Sequence, residues 1–197
     1  MKDALFAQTS CIILSAGSSV RMGTQKALLK FDAERTFLQK ITETYLQAGI
    51  EQVIVVVNSA LFKLIIASNF ILPEKLLLEI NDKPELGRFY SLQTGIKQLK
   101  PGKSCFFQNI DNPYTSEKLL RELIIHKDEA DLLMPVFQKK SGHPVLISQS
   151  VIKEIIKMRD SDLRIDLFLK RFEIKKIETS DPNILVNINS PEEYLQF

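Results

Sequence analysis

Val53-Ile54-Val55-Val56-Val57 is the run of residues from which the architecture of this 197-residue chain can be inferred. All five residues are β-branched, and the run shows no alternation between apolar and polar positions. Such a pattern is typical of a strand that is buried on both faces, in a sheet covered by helices on both sides. The run therefore predicts an α/β domain.

Similar apolar runs alternate with amphipathic stretches along the rest of the chain. Strands are predicted at residues 11–16, 52–58, 75–80, 104–110, 131–137, 143–147, 173–177 and 184–188. Helices are predicted at residues 36–48, 61–69, 89–99, 116–126, 149–158 and 163–172, and a capping box at Ser190-Pro191-Glu192-Glu193 begins a closing helix. Repeated strand-then-helix units predict a mostly parallel sheet with helices on both faces. Because no Gly- or Pro-rich linker interrupts the pattern, we expect one domain over residues 1–197.

The composition excludes several classes of protein. Lys and Arg number 26 against 24 Asp and Glu, and a net charge of +2 argues against nucleic-acid binding. The longest uncharged stretch, residues 4–20, is interrupted by hydroxyl side chains, so it predicts neither a membrane span nor a signal peptide. Cys11 and Cys105 lie in apolar runs, which indicates buried free thiols in a reducing compartment. We therefore expect a cytoplasmic protein with no membrane partner.

The first predicted strand leads into a loop rich in Gly and Ser, Leu14-Ser15-Ala16-Gly17-Ser18-Ser19-Val20-Arg21-Met22-Gly23-Thr24-Gln25-Lys26. Loops of this kind point backbone N–H groups outward and bind phosphate, and Arg21 and Lys26 add two cations. The loop matches neither Walker A nor the dinucleotide pattern G-x-G-x-x-G, and the second mismatch argues against a nicotinamide-dependent oxidoreductase. The loop predicts phosphate binding, the alternative being a solvated surface loop.

A carboxylate is expected beside this loop. Asp111 directly follows the apolar run of residues 105–110, so it projects from the carboxyl end of a strand. In open α/β sheets, ligands bind at the carboxyl ends of the strands. Mg²⁺ binds to one or two carboxylates together with substrate phosphates, so Asp111 is a candidate Mg²⁺ ligand. The alternative is that Asp111 only begins the Asn112-Pro113 turn.

These motifs resemble the signature of the MobA-like NTP transferases, a family that includes molybdenum cofactor cytidylyltransferases and guanylyltransferases. The resemblance rests on Leu14 to Gly23 with Lys26, and further matches follow in the expected order. They are Gly87-x3-Ser91-Leu92-x2-Gly95, Asp111-x-Pro113, Ser141-Gly142-His143-Pro144, Asp162-Leu163-Arg164 and Asn187-Ile188-Asn189-Ser190-Pro191-Glu192-Glu193. The resemblance implies a single Rossmann-like three-layer domain of the nucleotide-diphospho-sugar transferase type.

The resemblance also implies a Mg²⁺-dependent nucleotidyltransferase that moves a nucleoside monophosphate onto a phosphorylated acceptor and releases pyrophosphate. Members with Ala-Gly at the place of Ala16-Gly17 favour CTP, and the implied acceptor is molybdopterin. The alternatives within the class are a GTP-using guanylyltransferase and a sugar-phosphate nucleotidyltransferase. An alternative of another class is a non-catalytic nucleotide-binding chaperone that serves a molybdenum enzyme. The presence of Lys26, Arg21 and Asp111 argues against that last alternative.

The resemblance assigns roles to particular residues. Lys26, Arg21 and Asp111 would be catalytic, with Lys26 on the α- or the acceptor phosphate and Arg21 on the departing pyrophosphate. The nucleotide would be bound by Leu14, Ser15, Ala16, Gly17, Ser18, Ser19, Arg21, Lys26 and Ser91. His143 and Arg164 would bind the acceptor, and Asp111 would bind the metal with Asn187 or Asn189 as a weaker ligand.

Three of these residues have structural alternatives. Ser91 could cap a helix, His143 could anchor a turn, and Arg164 could pair with Asp160 or Asp166. The chain also departs from the family pattern at Arg88-Phe89-Tyr90, where members often carry Gly or Met, and this could reshape the base or acceptor pocket.

Overall fold

The computed structural model describes residues 4–68, 71–100, 102, 104–159 and 163–197, and their strands form one sheet. The strands are β1 (Thr9–Ser15), β2 (Gln52–Val57), β3 (Leu76–Ile80), β4 (Ser104–Asn109), β5 (Leu132–Phe137), β6 (Lys140–Ser141), β7 (Val145–Ser148) and β8 (Ile174–Glu178). The helices are α1 (Phe37–Ala48), α2 (Ser59–Ala67), α3 (Gly87–Ile96), α4 (Glu117–Ile124), α5 (Gln149–Lys157), α6 (Ile165–Leu169) and α7 (Pro191–Leu195).

The direction in which successive strands are added to the sheet reverses between β1 and β4, which pair with each other in parallel. Along the sheet the order is β3-β2-β1-β4-β7-β5, with β6 and β8 both paired to β5. The first four of these strands are parallel, whereas β7 runs antiparallel to both β4 and β5. The chain winds outward from β1 to β3 and returns for β4 on the other side of β1. In α/β sheets such a reversal leaves a crevice at the carboxyl ends of the two strands.

The predicted α/β class with helices on both faces is confirmed. Val53, Val55 and Val57 pack into the core that α1, α2 and α4 cover, while Ile54 and Val56 pack into the core under α3, α5 and α6. All five side chains are fully buried. The run lacks alternation because both faces of β2 are covered by apolar helices.

One predicted strand, at residues 184–188, is wrong. The segment forms a short 3-10 helix, Pro182–Leu185, followed by irregular chain. Pro182 takes an early position in this turn, and the side chain of Asp181 accepts a hydrogen bond from Asn183 N. Ile184 and Ile188 are buried four residues apart, so their apolar pattern reflects anchoring of a loop and not the alternation of a strand.

Most other predicted elements are confirmed with shifts of a few residues at their ends. The largest shifts are in α3, which spans Gly87–Ile96 where 89–99 was predicted, and in α6, which spans Ile165–Leu169 where 163–172 was predicted. Residue 69 of the second predicted helix lies outside the described residues. Cys11 and Cys105 are buried free thiols, as predicted. Among the described residues, no helix is long and apolar enough to cross a membrane.

The close approach of Gly142 to Ile184 generates a stability prediction. A Cβ added at residue 142 would overlap the backbone carbonyl oxygen of Ile184, so Gly142→Ala should destabilise the fold by about 1–3 kcal/mol. Gly17→Ala is the matched control, because nothing lies within 4 Å of a Cβ at that position. Urea unfolding followed by circular dichroism measures both. An equal free energy of unfolding for the two variants would contradict the packing described here.

Candidate active site

A cleft of about 290 Å³ lies at the carboxyl ends of β1 and β4, where the strand order reverses. Four segments meet there, namely the loop after β1, the start of α3, the end of β4 and the closing segment. The described residues that line it are Leu14, Ser15, Ala16, Gly17, Ser18, Ser19, Arg21, Met22, Lys26, Arg88, Ser91, Asn109, Ile110, Asp111 and Asn189. The predicted phosphate loop, the predicted carboxylate and part of the closing motif therefore share one cavity.

The loop after β1 is held by the side chain of Asn58. This residue follows β2 and caps α2, since its Oδ1 accepts a hydrogen bond from Leu61 N at 2.8 Å. Its Nδ2 donates to the carbonyl oxygens of Ala16 and Gly17, each at 3.2 Å. One side chain thus fixes both the start of a helix and two carbonyl groups of the neighbouring loop.

The N–H groups of the same loop stay available. No hydrogen bond within the described residues uses the backbone N–H of Gly17, Ser18 or Ser19. Ser19 has a φ of 50° and Gly23 a φ of 65°, so the backbone bends sharply at both positions. Because Gly17 carries no side chain and faces open space, a ligand can approach this backbone closely. Free N–H groups beside open space form an anion-binding concavity.

Lys26 contacts two of the other segments that line the cleft, the end of β4 and the closing segment. Its Nζ donates a hydrogen bond to Asn189 Oδ1 at 2.7 Å and lies 3.5 Å from Asp111 Oδ2. The side chains of Lys26 and Asp111 are only 12% and 21% exposed, so water screens their interaction less than on an open surface. The three side chains form a compact polar group opposite the loop.

Backbone contacts hold the closing segment against the end of β4. Ile188 N donates to the carbonyl oxygen of Asp111 at 2.8 Å. The buried side chain of Asn112 donates to the carbonyl oxygens of Asn183 and Ile184. These bonds bring Asn189 to the cleft, although it lies 163 residues from Lys26 in the chain.

The closing helix anchors the segment from its other end. The predicted capping box is present, with Ser190 accepting from Glu193 N and the Glu193 side chain accepting from the backbone of Ser190. Tyr194 donates a hydrogen bond to the carbonyl oxygen of Lys30. The ring of Tyr194 also belongs to an aromatic cluster with Phe31, Phe37, Tyr114 and Phe197. The loop after Lys26 and the segment around Asn189 are thereby fastened to each other.

Positive charge dominates the cleft. Its described lining includes Arg21, Lys26 and Arg88 but only one carboxylate, that of Asp111. Within the described part of the chain, neither Arg21 nor Arg88 forms an ion pair, so both guanidinium groups are free to bind an anion. Sequence reasoning treated Arg88 only as a bulky departure from the family pattern. The feature of the sequence that could have indicated a role for Arg88 in the cleft is its place directly after Gly87, which puts a cation at the start of α3.

Several predicted site residues have structural roles or lie elsewhere. Asn187 is exposed, donates to the carbonyl oxygen of Leu185 and does not line the cleft. Arg164 is exposed and pairs with Asp166 through two hydrogen bonds, also outside the cleft. Asp160 and Asp162 lie outside the described residues.

Ser91 lines the cleft but is engaged inside the protein. It is buried, accepts a hydrogen bond from Asn81 Nδ2 at 2.9 Å and donates to the carbonyl oxygen of Gly87. These bonds fix the start of α3, next to Arg88. The predicted cap at this position is therefore a hydrogen bond inside the first turn of the helix.

His143 lies partly buried beside the cleft and is paired with Asn109. β7 runs antiparallel to β4, so the residues just before β7 lie at the carboxyl end of β4, and Asn109 Nδ2 lies 3.2 Å from His143 Nε2. His143 Nδ1 is buried and has no hydrogen-bond partner among the described residues. Burial lowers the pKa of His143 to about 4, Asp111 acts in the opposite direction, and Arg88 lowers the pKa further. The imidazole is therefore neutral at physiological pH.

The chemistry of the cleft fits a hard divalent cation only in part. Asp111 Oδ1 is buried and has no partner in the described structure, which leaves one carboxylate oxygen available to a cation. Asn189 Oδ1 is a second oxygen ligand on the same side. No group of three or more His, Cys, Asp or Glu that could hold a metal is found in the described ranges. A Mg²⁺ ion here would need further oxygen ligands from water or a bound phosphate.

A family model and one named relative both match most of this chain. The family model for the MobA-like NTP transferase domain matches residues 11–173. A relative from Natranaerobius thermophilus, named "Probable molybdenum cofactor guanylyltransferase", is 27% identical over 220 residues, covering 95% of this chain and 93% of the relative.

Solved structures share the fold. Rv0371c from Mycobacterium tuberculosis H37Rv has a TM-score of 0.81 at 20% identity, covering 96% of this chain and 97% of that one. Molybdopterin-guanine dinucleotide biosynthesis protein A from Archaeoglobus fulgidus has a TM-score of 0.70 at 15% identity, covering 95% of each chain.

The low pKa of His143 generates a prediction for stability against pH. In the unfolded chain this imidazole titrates near its ordinary value of 6.5, so between pH 6.5 and 4 the unfolded state binds more protons than the native state. Stability should therefore fall as the pH drops through this window, by up to about 3 kcal/mol from this residue. Urea unfolding at pH 7, 5.5 and 4.5 measures the loss.

His143→Gln should remove this part of the pH dependence. His126→Gln is the matched control, because His126 is partly exposed and pairs with Glu129 at the surface. If His143→Gln and wild type lose the same free energy of unfolding between pH 7 and 4.5, His143 is not held neutral by burial.

Proposed function

We propose that this chain, which belongs to the MobA-like NTP transferase family and is a nucleotidyltransferase, transfers GMP from GTP to the phosphate of molybdopterin and releases pyrophosphate. Family membership was predicted from the sequence motifs and is confirmed by the match over residues 11–173. The observation that carries the proposed chemistry is the Lys26 ammonium group. It lies beside the partly buried Asp111, opposite a loop with free N–H groups.

Support for the donor and the acceptor comes from the curated relative. Its name describes a molybdenum cofactor guanylyltransferase, and its similarity extends over 95% of this chain. CTP is the second candidate donor, favoured by Ala16-Gly17 in the phosphate loop.

The proposed transfer needs little covalent help from the protein. An oxygen of the acceptor phosphate attacks the α-phosphorus of the nucleotide and forms a new P–O bond. The bond from the α-phosphorus to the bridging oxygen breaks, and pyrophosphate leaves with its electron pair. Because a phosphate monoester is largely ionised at neutral pH, the attacking oxygen needs no general base. This agrees with a cleft whose described lining contains one carboxylate, that of Asp111, and with the neutral His143 beside it.

Neutralising the phosphates is then the main task of the site. The free N–H groups of residues 17–19 would hold phosphate oxygens, and Lys26 would bind at the reacting centre. Arg21 and Arg88 would bind outer phosphates, since a guanidinium fork suits oxygens in pairs. Preformed donors in a partly buried cleft stabilise developing negative charge more strongly than water does.

We include Mg²⁺ in the proposal as the cofactor. Asp111 would hold it, with Asn189 as a second oxygen ligand, and the unpartnered Asp111 Oδ1 supports this assignment. When bound, Mg²⁺ would neutralise part of the phosphate charge. Asn187 is no longer favoured as a ligand, because its side chain lies outside the cleft.

The donor is tested by pyrophosphate release from each of the four NTPs with Mg²⁺, with and without molybdopterin. We expect release with GTP that depends on molybdopterin, and little with the other nucleotides. Release with CTP alone would make the chain a cytidylyltransferase. Saturable nucleotide binding without turnover on any donor would favour the non-catalytic chaperone. If a sugar phosphate supported pyrophosphate release in place of molybdopterin, the acceptor would be a sugar phosphate.

The site is tested by neutral variants of its two charged residues. Lys26→Met and Asp111→Asn should each lower kcat/KM by at least about 100-fold, because each removes a charge at the reacting centre. Lys153→Met and Asp128→Asn are matched controls, since both positions are exposed and outside the cleft. Near-wild-type rates in both site variants would refute the assignment.

A further inference from the structure

We propose that Lys26 blocks the cation site of the free protein, so that a divalent cation binds only together with the nucleotide. The inference rests on the proposed function, because it assumes that a nucleotide and a divalent cation share this cleft. It adds an order of binding, and it assigns to Lys26 and Asn189 a role in controlling that order.

The first argument is that Asn189 is already engaged. Its Oδ1 accepts a hydrogen bond from Lys26 Nζ at 2.7 Å, and its Nδ2 lies 3.4 Å from the carbonyl oxygen of Asn187. The second contact orients the amide so that its oxygen faces the ammonium group. In the free protein a cation would therefore have to displace Lys26 to gain this ligand.

The second argument concerns charge. Lys26, Asp111 and Asn189 together carry no net charge, because the ammonium group offsets the carboxylate. Asp111 is the one carboxylate in the described lining of the cleft, and Arg21 and Arg88 add two further positive charges. A divalent cation entering the free cleft would meet one available carboxylate oxygen and three cationic side chains. Repulsion of this kind is strong where burial reduces screening by water.

The third argument is that a bound nucleotide would change both the engagement of Asn189 by Lys26 and the net charge of the cleft. Its phosphates bring several negative charges and new oxygen ligands, which Mg²⁺ prefers alongside one or two carboxylates. Phosphate oxygens would also compete for the Lys26 ammonium group and thereby release Asn189 Oδ1. The cleft then offers a cation oxygen ligands and a net attraction, neither of which it offers when free.

The amide at residue 189 is central to this behaviour. An Asp in its place would add a second carboxylate beside Asp111, and the group would carry a net negative charge even with Lys26 present. We therefore expect Asn189→Asp to bind a divalent cation without nucleotide. Asn187→Asp is the matched control, because it adds the same charge two residues away and outside the cleft.

The experiment measures Mn²⁺ binding by water-proton relaxation enhancement, which distinguishes protein-bound Mn²⁺ from the Mn²⁺–nucleotide complex. The wild-type chain should show no saturable enhancement with Mn²⁺ alone and a clear enhancement after a non-hydrolysable analogue of GTP or CTP is added. Asn189→Asp should bind Mn²⁺ alone at least about tenfold more tightly than wild type, whereas Asn187→Asp should match wild type. Lys26→Met, checked for folding by circular dichroism, should also gain binding of Mn²⁺ alone.

Two results would overturn the inference while leaving the proposed function intact. The first is tight binding of Mn²⁺ to the wild type without nucleotide. The second is an equal gain in affinity for Mn²⁺ in Asn189→Asp and Asn187→Asp. Failure to form a ternary complex with either nucleotide analogue would overturn both the inference and the proposed donors. Pyrophosphate release by the wild type is measured separately. If release with GTP or CTP is observed, only the inference fails, and if it is absent, the proposed function fails as well.

Discussion

Strand β1 has parallel partners on both sides, β2 and β4, and all seven of its residues are buried. The chain winds from β1 out to β3 and returns only for β4, so the order of the strands reverses between β1 and β4. The loop after β1 and the first residues after β4 must both lie beside the crevice at the carboxyl ends of these two strands. The position of the cleft therefore follows from the topology of the sheet, before any particular side chain is considered.

A second constraint acts on the end of the chain. Ile188 N is bonded to the backbone of Asp111, and the side chain of Asn112 holds the carbonyl oxygens of the preceding turn. The capping box and the aromatic cluster then fasten α7 beside the loop that follows Lys26. None of these contacts uses the side chain of Asn189, so they position the residue while its amide oxygen accepts the hydrogen bond from Lys26.

The distribution of charge in the cleft explains how a nearly neutral protein can act on polyphosphates. The whole chain carries +2, yet among the described residues three cationic side chains and one carboxylate line a single cavity. Carbonyl groups of the loop after β1 are bonded to Asn58, while N–H groups of the same loop have no partner within the described structure. Fixed donors of this kind need no rearrangement when a phosphate arrives, and this is the main advantage of a preorganised site.

The run Val53 to Val57, the Gly- and Ser-rich loop and Asp111 were sufficient to predict the α/β class, the family and one edge of the cleft. These features are local, because a short stretch of neighbouring residues is enough to predict a strand buried on both faces or a turn. The segment at residues 184–188 was misjudged, because its apolar residues anchor a loop to the end of β4 and do not alternate across a sheet. Three features of the site depend on contacts between residues far apart in the chain. They are the position of Asn189, but not Asn187, in the cleft, the free guanidinium of Arg88 and the neutral imidazole of His143. Only the folded chain brings these residues together, since burial and charge pairing arise from tertiary packing and leave no periodic pattern in the sequence.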